Sequence, residues 1–88
     1  MALKIRPYLS KLRELCSTHH VNQLYLFGSA TNENFGDQSD IDFLVRFEDF
    51  DRKEYFNNYM SFKERLHQLF QRNIDLLEEQ TLTNEVLA

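Results

Sequence analysis

The stretch Ser39-Asp40-Ile41-Asp42-Phe43-Leu44-Val45-Arg46-Phe47 decides the fold. Side chains of a strand leave alternate faces, so Ile41, Phe43, Val45 and Phe47 form one apolar face, while Asp40, Asp42 and Leu44 form the other. The first face belongs in a core. The second begins with two carboxylates, and a strand polarised in this way predicts a sheet with a helical layer against its apolar side.

Downstream, Asp49 or Asp51 can cap a helix, and Asp51 with Glu54 has the spacing of a capping box. The helix is expected to run to about Arg72, with Tyr55, Tyr59, Phe62, Leu66 and Leu69 recurring at intervals of three and four and Phe56 and Phe70 widening the stripe. This stripe reads as core first, with its surplus of aromatics available to an interface. Asn73 breaks the pattern, and Ile74-Asp75-Leu76-Leu77 reads as a third short strand. From Glu78 to Ala88 the chain is polar with scattered Leu82, Val86 and Leu87, the pattern of a weak helix that Thr83 can cap.

Upstream, Leu24-Tyr25-Leu26-Phe27 reads as a strand spanning Gln23 to Phe27, because it is short, rich in aromatics and stopped by Gly28. Between Gly28 and Asp40 lies a polar stretch long enough for a turn or two of helix and a loop. The first segment, Ile5 to about Thr18, sets Ile5, Leu9, Leu12 and Cys16 at helical spacing among charged residues, with Pro7 in its first turn and His19-His20 at its end. Helix, strand, helix or loop, strand, helix, strand describes a small α/β layer structure, a sheet of at least three strands covered by helices. Its outer edges need covering by the tail or by another subunit, which points to association.

A chain of 88 residues has room for a single domain, 1–88, and an apolar fraction of 42% with eight Phe and four Tyr supplies a core. The formal charge of −4 gives no general attraction for a phosphate backbone, so duplex DNA is not an expected partner. Cys16 has no second cysteine to pair with, which fits a small buried residue in a reducing compartment. No apolar run is long enough to span a membrane, and Arg6-Pro7 interrupts the place of a signal peptide, so a cytoplasmic location is expected. His19, His20 and His67 lack the spacing of a zinc site and read as ordinary polar residues.

The chemistry concentrates in three acids and a turn. Asp40 and Asp42 leave the same face of a strand about 6–7 Å apart at the backbone, and two carboxylates so placed repel unless a proton or a metal neutralises them. Oxygen ligands completed by water and phosphate select magnesium. Asp75 interrupts the third strand where an apolar residue is normal, and beside the second strand it can face the same metals and help deprotonate an attacking hydroxyl. Gly28-Ser29, after a strand and before a turn, fits phosphate binding through close backbone approach, a hydroxyl and free amides.

Taken together, Leu26-Phe27-Gly28-Ser29, then Ser39-Asp40-Ile41-Asp42-Phe43-Leu44-Val45, then Ile74-Asp75-Leu76, resembles the nucleotidyltransferase superfamily related to polymerase beta. The likeness runs from about Leu24 to Leu77 and is greatest to the minimal, stand-alone members, many of them antitoxins encoded beside a HEPN-domain toxin. The resemblance implies a palm-like α/β fold, a small mixed sheet covered by helices, that binds a nucleoside triphosphate. Gly28 and Ser29, with Ser39, would hold the nucleotide, Asp40 and Asp42 would coordinate Mg2+, and Asp75 would complete the metal site and assist the acceptor hydroxyl. It further implies transfer of AMP from ATP to a tyrosine of a HEPN-domain toxin partner, in a homodimer or hetero-oligomer. Family members usually follow the Gly-Ser pair with a small residue, arginine and glycine, where this chain has Thr31, Asn32 and Glu33. Without that arginine two alternatives stand beside the first reading: an antitoxin that neutralises its toxin by binding alone, and transfer to a small hydroxylated molecule.

Overall fold

The computed structural model describes residues 4–28, 40–49 and 51–79. A single 3-10 turn, Arg6–Tyr8, leads into helix α1, Leu9–Thr18, followed by strands β1, Val21–Phe27, and β2, Ile41–Phe47. Helix α2, Arg52–Phe70, and strand β3, Ile74–Glu78, complete the order. The expected single helix from Ile5 thus opens as a tighter turn at Pro7, whose missing N–H is tolerated there. The expected segments at 29–39 and 80–88, including Thr83 as a cap, lie outside the described residues.

The sheet has the order β1-β2-β3, with β2 central. β1 pairs antiparallel with β2, and β3 pairs parallel with it. The sheet is therefore mixed, and α2 is the crossover that a parallel return requires. One face meets the helices: Ile41, Phe43, Val45, Phe47, Ile74 and Leu76 are buried against Leu12 of α1 and Phe62, Leu66 and Phe70 of α2. Full burial of a Leu or Phe side chain contributes about 1.5–3 kcal/mol, so this layer contact holds the fold together.

β1 begins two residues before the expected Gln23. A register shift between Val21 and Gln23 inserts an extra residue, which turns Val21 inward alongside Leu24 and Leu26; strict alternation from Leu24 would have turned Asn22 inward instead. α2 is capped by Asp51, whose Oδ1 accepts from Lys53 N–H at 3.0 Å. It ends at Phe70 rather than near Arg72, because Gln71 adopts a left-handed conformation (φ 56°) and its N–H closes on His67 O. Phe56 does not widen the core stripe: it is 69% exposed, one position outside the arc of Tyr55, Tyr59, Phe62 and Leu66.

His19, at the end of α1, has a larger part than its polar character suggests. Its ring nitrogens engage Leu15 O at 2.9 Å and Ser61 Oγ at 3.0 Å, and its carbonyl accepts from Asn58 Nδ2 at 2.7 Å. The ring also packs near Phe62, with centroids 5.4 Å apart. One residue later His20 takes φ 60°, and its carbonyl accepts from Glu48 N–H. The two histidines join α1 to α2 and to the end of β2. Among the described residues no helix is long and apolar enough to cross a membrane.

Candidate active site

Away from the helices, no element among the described residues covers the second sheet face. On β2 it carries Asp42, Leu44 and Arg46, and by the ladder registers Phe27 and Tyr25 of β1 and Asp75 and Leu77 of β3 belong to it too. The acids gather at one end of this face. Asp42 is directly opposite Asp75 across the parallel pair and opposite Phe27 across the antiparallel pair, and Asp40, just before β2, is near enough for its charge to act on Asp42.

The proximity shows in the protonation of Asp42. Partial burial raises its pKa above the ordinary carboxylate value, the negative charges of Asp75 and Asp40 raise it further, and a hydrogen bond to Asp75 adds to the shift. Facing carboxylates leave a repulsion that a bound cation would relieve. Among the described residues no three His, Cys, Asp or Glu side chains already form a group able to hold a metal ion. Asp42 and Asp75 are nevertheless ladder neighbours, with Asp40 two residues along, so convergence of their carboxylates requires side-chain rotation and little backbone movement.

Gly28 belongs to the same corner. It ends β1 with φ 74°, and a Cβ at this position would overlap Asp42 Oδ2 and lie 3.2 Å from its Cγ. Glycine is required by the left-handed turn, and the Asp42 carboxylate lies directly against its backbone. The structure therefore brings Gly28 to Asp42 and Asp42 to Asp75. Ser29 and Ser39 lie outside the described residues, as do Thr31, Asn32 and Glu33.

One further feature was not read from the sequence. Asp40 borders a cleft of about 540 Å³, lined also by Met60, Lys63, Glu64 and His67 of α2. Met60, Lys63 and His67 recur at three and four residues, which was the available signal, hidden by the stronger aromatic stripe. His67 Nδ1 donates to Arg72 O at 2.7 Å, which fixes the ring at the border of this cleft. Arg46 does share the acid-bearing face, since β2 alternates regularly to Phe47. It stands four residues beyond Asp42, about 13 Å along the strand, and its guanidinium lies 4.0 Å from Glu79.

The sequence profile described as "Polymerase beta, Nucleotidyltransferase" matches residues 10–88. This chain belongs to that family. No curated protein and no solved structure matches the chain significantly. The mixed sheet with its helical layer is accordingly the palm of a polymerase beta nucleotidyltransferase, and the acids stand on its second face. The donor set fits the divalent ion such a domain uses: the carboxylates are hard oxygen ligands, and their mutual repulsion contributes to the raised pKa of Asp42.

Proposed function

We propose that this chain transfers AMP from ATP to a protein hydroxyl, a tyrosine of a HEPN-domain toxin, and so acts as an antitoxin. The observation that carries the reading is the in-register pair Asp42–Asp75, with the Gly28 backbone against Asp42 and the charge of Asp40 near it. Family membership supports nucleotidyl transfer; the base, the acceptor and the partner are this proposal's own.

Asp40 and Asp42 would hold Mg2+, with Asp75 completing the set. The ion supplies charge neutralisation on the phosphates and alignment for an in-line displacement. Gly28 admits the phosphates close to the backbone, and Ser29 and Ser39 add hydroxyl contacts. Asp75, on the edge strand and exposed, takes the proton of the acceptor hydroxyl as its oxygen bonds to the α-phosphorus. The bond from the α-phosphorus to the bridging oxygen breaks, and pyrophosphate leaves. The sheet face beside the acids carries exposed Tyr25, Phe27 and Leu77, an apolar floor suited to a protein acceptor.

A second reading is inhibition by binding alone. Asn32 stands where the family's arginine is expected, and Arg46 is too far along β2 and too close to Glu79 to replace it. Transfer of label from α-labelled ATP to the partner encoded by the neighbouring gene separates the two readings. Label on the partner with Mg2+, lost in Asp42→Asn, is the expected result. A stable complex that takes up no label would reject transfer and leave occlusion.

A further inference from the structure

β3 is an edge strand of five residues, and it carries Asp75. Ile41 N–H donates to Asn73 O, so in a parallel ladder the backbone groups of Asn73, Asp75 and Leu77 face β2, while those of Ile74, Leu76 and Glu78 face away from it. The outward groups are where a strand of another chain would pair. Two tyrosines of α2 reach this side. The Tyr59 hydroxyl donates to Leu76 O, and the Tyr55 hydroxyl donates to Glu78 Oε2.

The spacing explains why two tyrosines suffice. Residues four apart on a helix are about 6 Å apart along its axis, and residues two apart on a strand are about 6.6 Å apart. Tyr59 meets Leu76 and Tyr55 meets Glu78, so helix and strand run in opposite senses and their periods match. Asp75 is the residue just before the tethered carbonyl. The Tyr59 hydroxyl therefore tethers the strand backbone next to the residue that faces Asp42.

We propose that Tyr59 is a positioning residue: through Leu76 O it holds β3 in the place that sets Asp75 beside Asp42, and it occupies the edge carbonyl another strand would use. The inference rests on the nucleotidyltransferase reading of the three acids. Burial, with the Asp75 charge second, pushes ionisation of the Tyr59 hydroxyl up, so it remains a donor wherever the acids are ionised.

The test compares Tyr59→Phe, which keeps the ring, with wild type and Asp75→Asn. Two readouts are taken on the whole chain: amide hydrogen exchange without metal, and Mn2+ binding followed by electron paramagnetic resonance. Loss of one hydrogen bond is expected to speed exchange in β3 roughly five- to tenfold, leaving α1 and β1 unchanged, and to weaken Mn2+ binding by a similar factor. In the Asp75→Asn background the same change should weaken Mn2+ binding no further, because the group being positioned is gone. A purely structural role would lower the unfolding temperature and leave Mn2+ affinity intact, which overturns the proposal; so does unchanged exchange in β3. If wild type binds no Mn2+, the reading of the acids as a metal site falls, and the exchange of β3 alone decides whether Tyr59 holds the strand.

Discussion

Asp42 bears opposing demands, and its titration exposes them. Its folded-state pKa is raised, so the folded chain holds the proton more tightly than the unfolded chain, and the associated stability is lost as pH rises through the folded pKa. Asp42→Asn removes the repulsion without removing the shape. The metal-free variant should therefore melt a few degrees higher than wild type near neutrality, roughly 2–5 °C for a fraction of a kcal/mol in a domain of this size. The gap should close as pH falls into the acid range, where wild-type Asp42 takes up its proton above the pH at which an ordinary carboxylate does. Melting curves across that range check both signs, and a constant gap would show that the charge is not the cause. Gly28→Ala makes the reverse case. Its Cβ needs a left-handed conformation and space held by the Asp42 carboxylate, so a loss of about 1–3 kcal/mol in stability is expected, with weaker Mn2+ binding measured on the folded fraction.

Between residues and the whole fold stand the elements, which differ in how legible they were. β2 and the Tyr59, Phe62, Leu66 stripe of α2 could be read directly, because each periodicity is local and one face is fully committed to the core. The start of β1 could not, since the bulge at Val21–Gln23 shifts the alternation by one residue and only a paired partner reveals it. Phe56 misled for a related reason: its hydrophobicity fits the stripe while its angular position does not. Asp51 was legible as one of two candidate caps with Asp49, and Asp51→Ala should cost about 1 kcal/mol in urea unfolding. His19 was not legible, because its partners Asn58 and Ser61 lie about forty residues away. The three acids and Gly28 could be named from the chain as candidates, but the opposition of Asp42 to Asp75 is a property of long-range register.

The molecule as a whole is a helical layer under a sheet whose other face carries the acids, and ligand linkage should reveal that division. Mg2+ at millimolar concentration should raise the melting temperature of wild type and leave Asp42→Asn unchanged, because binding confined to the folded state stabilises it by mass action. Calorimetry with and without the ion provides the measurement, and an equal rise in both proteins would assign the effect to general screening of the net charge of −4. The parallel pairing of β2 with β3 also has a bearing on time. Ile41 and Ile74 meet only after the whole of α2 has been laid between them, whereas β1 and β2 close over a shorter separation. The longer closure predicts that Asp75 arrives late, after the barrier to folding has been crossed. Mg2+ should then slow the unfolding arm of a chevron while leaving the refolding arm where it was. The ion would act as a latch on a finished structure, taking no part in its construction.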